Sequence, residues 1–321
     1  MRAVLVAAPG SVELVELADP APAPDGVVVQ VAAVGICGTD LHIVDGHAGR
    51  LPVVPGHELA GTVVAVGSAV RALRVGDRVA VDPNLPCRAC RSCHAGRGNL
   101  CRDLEALGVT QPGGAAELVA APASSCVVLP EAVDLEAAAL VEPLSCAVHA
   151  LDVLGARPGS SVLVYGAGTM GLMLLELVKR SGALTVDVVD VNLEKLRRAS
   201  DLGCSRTATS AAELDWPEGW DVVVDATGSE AAIRDAVSRV ADGGTFLQFG
   251  VSRPDVVVPF SPYDVYRREI TITGSMAVLH SFSRAVDLLA AGVLDPADVV
   301  TARAPLAGYA GALEDFRAGG G

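Results

Sequence analysis

Residues 161–171 read S-V-L-V-Y-G-A-G-T-M-G, the strongest indication of fold in the chain. A short apolar run leads into Gly166, Gly168 and Gly171, and the next segment, M-G-L-M-L-L-E-L-V-K, is rich in helix formers up to a glycine at 182. This order predicts a buried parallel strand, a tight turn and a helix. The 18 uncharged residues of 158–175 are long enough to span a membrane, but the central glycines favour strand, turn and helix.

The same alternation continues downstream. Asn192 is a suitable N-cap and Gly203 a suitable terminator for an intervening helix. Further strands are predicted in T-V-D-V-V-D up to Asp190, D-V-V-V-D-A-T-G from Asp221, G-T-F-L-Q-F-G from Gly244 and I-T-I-T-G-S-M from Ile270. Alternating strands and helices predict a doubly wound parallel sheet.

The chain up to about residue 130 follows another pattern. Short Val-rich segments begin at Val27, Gly61 and Asp77, separated by Gly, Pro and Asp turns. This pattern is typical of an antiparallel β-domain with a loop-rich rim. A length of 321 residues suits two domains.

The charge and the N-terminal composition of the chain argue against several classes of function. The net charge of −14 opposes binding to nucleic acid or to an anionic membrane. The apolar run in M-R-A-V-L-V-A-A-P-G is too short for a signal peptide, so a cytoplasmic location is expected by default.

The glycine turn has the context of a dinucleotide site, because it follows a strand, opens a helix and precedes an acidic residue, Asp190, at the end of the next strand. Gly166 would make the tight turn, Gly168 would let the backbone approach the pyrophosphate, and Gly171 would allow close packing of helix on strand. The N–H groups near Thr169 and Met170 would face the anion.

Asp190 would accept hydrogen bonds from the two ribose hydroxyls, and its charge would repel a 2′-phosphate, which favours NAD over NADP. Lys195 and Arg197 lie just beyond it and could tolerate a phosphate, so NADP stays possible.

Four cysteines, Cys87, Cys90, Cys93 and Cys101, form the segment C-R-A-C-R-S-C-H-A-G-R-G-N-L-C, which carries no helix signal. Four thiolates this close in sequence predict a tetrahedral structural zinc with every position filled. Disulfides, a redox pair and a nucleic-acid zinc ribbon are the alternatives; a cytoplasmic redox state opposes the first, and the acidic chain opposes the last.

A second, scattered set consists of Cys37 in G-I-C-G-T-D-L-H and His57 with Glu58 in P-G-H-E. A catalytic zinc needs about three protein ligands and one open position, and these residues supply candidates. Cys126, Cys146 and Cys204 lack such context and are interpreted as buried filler.

These elements, in this order and over nearly the whole chain, resemble the zinc-dependent medium-chain dehydrogenases. E-P-L-S-C-A-V-H-A from Glu142 narrows the likeness to the polyol, sorbitol-like branch. The resemblance implies an α/β protein with a GroES-like antiparallel β catalytic domain over 1–141 and 277–321, including the cysteine lobe at 87–101, and a Rossmann domain over 142–276. Family chains usually end in one more strand, so a truncated or disordered tail is possible after A-G-G-G.

The resemblance also implies roles for individual residues. Glu58 and Glu142 would alternate as the third zinc ligand beside Cys37 and His57. Thr39 and His42 would relay the alcohol proton, and Asp40 would orient His57; Thr39 and Asp40 would equally suit the capping of a helix start. The later strand ends would line the cofactor site with Thr227, Phe249, Val251 and Ser275.

The expected function is a two-zinc dehydrogenase that moves hydride from a secondary alcohol of a polyol or sugar derivative to NAD(P). A threonine or amino-alcohol dehydrogenase shares all these motifs. A zinc- and nucleotide-binding regulator without turnover would need an empty Cys37 site. The expected partners are a small alcohol and a second copy of the chain, in a homodimer or homotetramer paired through I-T-I-T-G-S-M, with neither nucleic acid nor membrane.

Overall fold

The computed structural model describes residues 1–155 and 157–320. It divides the chain into two compact units. The first contains Met1–Ser145, Val278–Gly292 and the residues from Val300 onward; the second contains Cys146–Ala277 and Val293–Val299. The short return of Val293–Val299 to the second unit is absent from the boundaries expected from sequence, which assign everything after residue 276 to the first domain.

Fifteen strands are present in the described residues. Those of the first unit are β1 Arg2–Leu5, β2 Glu13–Glu16, β3 Gly26–Gly35, β4 Glu58–Val66, β5 Arg78–Val81, β6 Asn84–Leu85, β7 Glu105–Ala106, β8 Leu118–Pro122 and β9 Cys126–Val128. Those of the second unit are β10 Ser161–Tyr165, β11 Thr185–Val189, β12 Arg206–Ala208, β13 Trp220–Asp225, β14 Val240–Gln248 and β15 Thr271–Gly274.

Ten α-helices accompany these strands in the described part of the chain. They are α1 Gly38–Val44, α2 Arg91–His94, α3 Val141–Leu154, α4 Thr169–Arg180, α5 Leu193–Asp201, α6 Glu230–Ser238, α7 Pro262–Arg268, α8 Phe282–Ala290, α9 Pro296–Val299 and α10 Tyr309–Asp315.

The first unit is built on a five-stranded antiparallel sheet in the order β8-β3-β4-β5-β9. Val27 and Val29 of β3 pack with Val63 of β4 and Val79 of β5 in one apolar cluster. The antiparallel pairing of all five strands confirms the predicted antiparallel β-domain. The pairing of β3 with β4 places Gly35 opposite Glu58.

The second unit contains a six-stranded sheet, parallel throughout, in the order β12-β11-β10-β13-β14-β15. Its central strand, β10, is buried along its whole length, which explains the near-continuous apolar run that the sequence shows there. The strand order reverses direction between β10 and β13, and ligands of doubly wound sheets bind at such a switch point. The predicted parallel sheet is therefore confirmed.

The helices that follow β10 and β11 begin and end at the residues predicted from the sequence. The Asn192 side chain accepts hydrogen bonds from the backbone N–H groups of Glu194 at 2.9 Å and Lys195 at 3.3 Å, which caps α5. Gly203 has φ +77° and follows the end of that helix, and Gly182, with φ +94°, follows α4. Glycine adopts this left-handed conformation without the steric cost that other residues incur.

One described segment, Ala137–Leu154, has the length and apolar character of a membrane span, but 78% of it is buried within the protein. Core helices of globular proteins meet the same criterion. The stretch 158–175 forms strand, turn and helix, as predicted.

Candidate active site and metal centres

Helix α1 presents the first group of predicted site residues. Cys37 is its N-cap, and the Asp40 carboxylate turns back to accept the Cys37 backbone N–H at 2.8 Å. The other Asp40 oxygen, Oδ1, lies 3.3 Å from the backbone nitrogen of Gly56 and accepts its N–H. Asp40 is completely buried. It therefore joins the start of α1 to the turn that precedes β4, and the capping role considered from the sequence is present.

His57 and Glu58 enter the site from that turn and from the first residue of β4. Their placement depends on two glycines. Gly56 has φ +89°, and a Cβ at Gly35 would lie 2.0 Å from the Glu58 carboxylate oxygen Oε2. A glycine at position 35 thus leaves the space that the Glu58 side chain fills.

The ligand atoms of Cys37, His57 and Glu58 all lie within 4.8 Å of one another. His57 and Glu58 are each only 7% exposed. The buried Nδ1 atom of His57 has no hydrogen-bond partner and is 3.9 Å from Asp40 Oδ1. One thiol, one imidazole and one carboxylate form the mixed donor set of a catalytic zinc, so the residues present fit that metal.

Electrostatics in this cluster favour a cation. Burial raises the pKa of the Cys37 thiol, and the nearby Glu58 carboxylate raises it further. Burial also raises the pKa of Glu58, to about 8. Burial alone would lower the pKa of His57, but Cys37, Asp40 and Glu142 outweigh it and raise that pKa well above its ordinary value. Several acidic groups in one dry site oppose each other's ionisation, and a divalent cation would remove that penalty.

Glu142, the fourth predicted ligand, stands slightly apart. It lies in the first turn of α3 and is 8% exposed. Its charge is close enough to raise the pKa of both His57 and Glu58, yet it is outside the set of atoms within 4.8 Å. Glu58 is thus the carboxylate grouped with Cys37 and His57 in this structure.

Thr39 and His42, the predicted proton relay, lie three residues apart on α1, and residues at this spacing share a helix face. The Thr39 hydroxyl oxygen is 3.8 Å from Cys37 Sγ. The His42 ring lies 6.5 Å from that of His47, centroid to centroid. Both predicted relay residues therefore lie on the helix that Cys37 caps, and their role stays a prediction.

Tyr309 is a site residue that sequence reasoning missed. It begins α10, is 5% exposed, and its buried hydroxyl lacks a well-formed hydrogen bond. The hydroxyl is nevertheless near enough to Asp40 to lower the pKa of that carboxyl, against the larger effect of burial. Asp40 thus lies between His57 and Tyr309. A tyrosine in the helical C-terminal segment carries no motif that would have identified it.

The four lobe cysteines also converge, with their Sγ atoms all within 4.8 Å of one another. Cys90 Sγ is 3.6 Å from Cys93 Sγ and 3.9 Å from Cys101 Sγ. A tetrahedron with Zn–S bonds of ~2.3 Å has edges of about 3.8 Å. None of the four forms a disulfide. The spacing fits a closed structural zinc site.

Ionisation in the lobe points the same way. Backbone N–H groups of Cys93 and Arg102 lower the pKa of the Cys90 thiol to about 6. Desolvation and hydrogen bonds with the neighbouring sulfurs raise the pKa of Cys93 to about 12. Ionisation of Cys90 is thus favoured, whereas ionisation of Cys93 beside it is opposed. A bound cation would stabilise thiolates at all four positions. The lobe also contains the short helix α2, whereas no helix was expected there, because four residues leave no periodic signal.

The glycine turn lies between β10 and α4, as predicted. Gly166 has φ +102°, and a Cβ at Gly171 would lie 1.8 Å from the Gly166 carbonyl oxygen, which only glycine avoids. The Cβ position of Gly168 faces open space, as close approach by a ligand requires. Thr169 and Met170 form the first turn of α4. Exposed N–H groups at such a helix start bind phosphate.

Asp190 follows β11 beside this turn. Its Oδ2 accepts the Ala167 N–H and its Oδ1 accepts the Asn192 N–H, both at 2.8 Å. Of the two basic residues that could tolerate a phosphate, Arg197 forms an ion pair with Asp201 at 2.6 Å.

The remaining predicted cofactor residues follow the carboxyl ends of parallel strands. Thr227 comes after β13, Phe249 and Val251 after β14, and Ser275 after β15. Val251 is 71% exposed, and the Ser275 Oγ atom is buried without a partner. All four share one edge of the sheet, and their contact with a cofactor stays a prediction.

Sequence comparison identifies related proteins for both units. Residues 23–131 match the family described as the alcohol dehydrogenase GroES-like domain. Residues 169–291 match the zinc-binding dehydrogenase family.

D-arabinitol dehydrogenase 1 of Uromyces fabae is 41% identical over 290 residues, covering 86% of this chain and 82% of the relative. D-altritol 5-dehydrogenase of Agrobacterium fabrum is 38% identical over 314 residues, covering 95% and 93%. A solved zinc-binding dehydrogenase of Sinorhizobium meliloti 1021, bound to NADP, superimposes with a TM-score of 0.89 at 35% identity, covering 92% of this chain and 89% of that one.

Proposed function

This chain belongs to the zinc-binding alcohol dehydrogenase family, and we propose that it oxidises a secondary alcohol of a polyol or sugar derivative and passes the hydride to NAD. It is an NAD(P)-dependent dehydrogenase that uses zinc. The names of two relatives, which act on D-arabinitol and D-altritol, support a polyol as substrate.

One observation carries the proposal: the ligand atoms of Cys37, His57 and Glu58 lie within 4.8 Å of one another in a largely buried site. Zinc held there would act as a Lewis acid toward the alcohol oxygen. Glu142 would replace Glu58 or act beside it, because its charge already acts on both His57 and Glu58.

The residues of the chain provide the proton path and the orientation of the ligands. The Thr39 hydroxyl would accept the proton of the substrate hydroxyl, and His42 would pass it to solvent. Asp40 would hold His57 through Nδ1, for which the 3.9 Å separation needs to shorten by about 1 Å to reach ordinary hydrogen-bond length. The cysteine lobe would hold a second, structural zinc and take no part in the reaction.

NAD is the proposed hydride acceptor. The support is Asp190, whose carboxylate is held beside the glycine turn by two backbone N–H groups. The Sinorhizobium relative is bound to NADP, so the acceptor of this chain needs its own test. Asp190→Ala should weaken NAD use, at ~1.5–3 kcal/mol for each charged hydrogen bond lost, and raise the relative use of NADP. A parent enzyme that already prefers NADP would contradict the assignment.

The decisive experiment is a set of initial rates for pentitols, hexitols, inositols and threonine, each with NAD and with NADP, on protein of measured zinc content. We expect turnover of one or more polyols, higher with NAD than with NADP. Preferred turnover of threonine or an amino alcohol would instead identify a threonine or amino-alcohol dehydrogenase, which shares every motif described above. Nucleotide binding without turnover of any alcohol would favour a regulator.

Assembly and location complete the proposal. We expect a homodimer or homotetramer, because β15 forms an open edge of the parallel sheet and its residues Thr271, Ile272 and Gly274 are exposed. A cytoplasmic location agrees with eight cysteines that form no disulfide.

A further inference from the structure

Asp225, the last residue of β13, is a fully buried carboxylate that accepts four hydrogen bonds. Its Oδ1 accepts from the Thr227 backbone N–H at 3.1 Å and hydroxyl at 2.6 Å. Its Oδ2 accepts from the Gly228 N–H at 2.9 Å and from Gln248 Nε2 at 2.7 Å. A buried charge is tolerated when it is bonded this completely.

The turn that Asp225 holds lies against the glycine turn. A Cβ at Gly166 would be 3.0 Å from the Thr227 methyl carbon Cγ2, so the two turns are in contact. The Thr227 hydroxyl oxygen also accepts the Ser229 N–H at 3.0 Å. This hydroxyl therefore donates to Asp225 and accepts from Ser229, so its bonding holds the turn together.

Asp225 also determines the orientation of the Gln248 amide. The nitrogen Nε2 faces two acceptors, Asp225 Oδ2 and the Gly250 carbonyl oxygen, each at 2.7 Å. Two acceptors require both hydrogens of the amide nitrogen, which settles the oxygen and nitrogen positions of the side chain. The carbonyl oxygen Oε1 is then the one polar atom that this half-buried side chain can offer to a ligand.

Both features lie at the carboxyl ends of β13 and β14, next to the switch point where β10 and β13 adjoin. We propose that Asp225 is a positioning residue of the nucleotide site: it holds the Thr227–Gly228 turn against the glycine turn and orients Gln248 so that Oε1 accepts a hydrogen bond from a hydroxyl or amide of the bound cofactor. This inference rests on the proposed nucleotide-dependent function.

The test replaces Asp225 by asparagine. Asn retains the size but places an NH2 group where one oxygen stood. On the Oδ2 side this group would meet the Gly228 N–H and the Gln248 amide, and Gln248 would have to turn around, presenting a donor where the cofactor now meets Oε1. A lost or reversed hydrogen bond in a partly buried site predicts a rise of about tenfold in the NADH dissociation constant.

Asp187 provides a matched control. It is also a fully buried aspartate of the same sheet, lies in β11, and is bonded by Arg206 at 2.6 and 3.1 Å and by Trp220 Nε1 at 2.9 Å. It bonds neither the glycine turn nor the strand ends that follow β13 and β14. Asp187→Asn should therefore lower the melting temperature, as Asp225→Asn does, while NADH binding at a temperature where the protein is folded stays within about twofold of wild type.

The measurements are NADH binding by fluorescence, melting temperature, zinc content, and the KM values for NAD and for the alcohol. We expect Asp225→Asn to raise the NADH dissociation constant and the KM for NAD together, with zinc content and the KM for the alcohol unchanged. Unchanged NADH binding in Asp225→Asn, with a melting temperature lowered as in Asp187→Asn, would show that Asp225 is purely structural. That result would overturn the proposal and leave the dehydrogenase assignment standing. Absence of NADH binding by the wild-type protein would instead remove the proposed function.

A second variant covers the case in which Asp225→Asn does not fold. Gln248→Leu keeps Asp225 and the Thr227–Gly228 turn but removes Oε1. It should weaken NADH binding several-fold with wild-type zinc content, and unchanged binding would overturn the role of Gln248 as an acceptor.

Discussion

Single atoms determine the geometry of the candidate zinc site. The absence of a side chain at Gly35 leaves room for Glu58, since any Cβ would lie 2.0 Å from its carboxylate oxygen. Asp40 binds the start of α1 and the turn before β4 through its two oxygens. Asp40 therefore fixes the backbone on either side of the site, at Cys37 and at the residue before His57.

Turnover should depend on Cys37 while nucleotide binding does not. Cys37→Ala should abolish alcohol oxidation, because the Lewis acid is lost, and should leave NADH binding nearly intact, because the glycine turn belongs to the other unit. Glu142→Ala should be less severe, since Glu58 is the carboxylate grouped with Cys37 and His57. The measurements are zinc content, NADH fluorescence and polyol oxidation on each purified variant. Substantial polyol turnover by metal-free Cys37→Ala would refute the zinc mechanism.

Zinc retention at this site should depend on pH. Protons compete with the metal for the Cys37 thiolate and the Glu58 carboxylate, and burial raises the pKa of both, that of Glu58 to about 8. The protonated forms gain as pH falls through that value, so zinc binding should weaken from pH 9 toward pH 6. The check is the rate of zinc loss to a chelator across this range. The same series on Cys37→Ala reports the lobe zinc alone, and identical pH profiles for the two proteins would contradict the assignment.

Two short helices hold candidate metal ligands or lie directly beside them. Helix α1 has seven residues, follows the N-cap Cys37, and holds the capping carboxylate of Asp40 and the two proposed relay side chains. Helix α2 has four residues and begins at Cys90. Neither helix could be stable alone at that length, so each depends on the contacts that surround it.

In the cysteine lobe, a bound zinc should supply the stability that a hydrophobic core supplies elsewhere. Cys93→Ser should remove about one of two zinc ions per chain and lower the melting temperature by roughly 5 to 10 °C, since the other three thiols are left without a closed tetrahedron. Metal analysis and a thermal melt check this. Cys204→Ser is the matched control, because Cys204 lies outside both clusters, and it should retain both metals. Unchanged stability with two zinc ions in Cys93→Ser would contradict a structural zinc.

At the scale of the whole molecule, the six-stranded sheet ends in an edge strand, β15, with apolar character. Strand β15 pairs with β14 on one side, and Ile272, which it presents, is 42% exposed. Open edges of this kind pair with another strand unless charge or proline blocks them.

Ile272→Lys should therefore dissociate the proposed oligomer, because a charge on the edge strand opposes edge-to-edge pairing. Light scattering after size exclusion should show a smaller assembly for the variant. Val75→Lys is a control in the first unit, since Val75 is 60% exposed and lies in the loop between β4 and β5, and it should leave the assembly unchanged. A monomeric wild-type protein would contradict the oligomer itself.

Elements that depend on neighbouring residues alone could be predicted from the sequence. The four lobe cysteines lie within fifteen residues, the glycine turn within six, and Asn192 caps the helix that follows it directly. Spacing and period are sufficient there because the interacting groups are joined by a few covalent bonds. The catalytic ligand set is spread over a hundred residues, and its full membership came from the resemblance to the dehydrogenase family.

Contacts between distant side chains emerge only in the fold. Tyr309 reaches Asp40 from the opposite end of the chain, Gln248 reaches Asp225 from the next strand, and Glu58 is the carboxylate whose oxygen lies within 4.8 Å of both Cys37 and His57. These contacts depend on the register of the strands and on the packing of the C-terminal segment. Burial of the whole core determines both, so no local sequence pattern predicts which distant side chains meet.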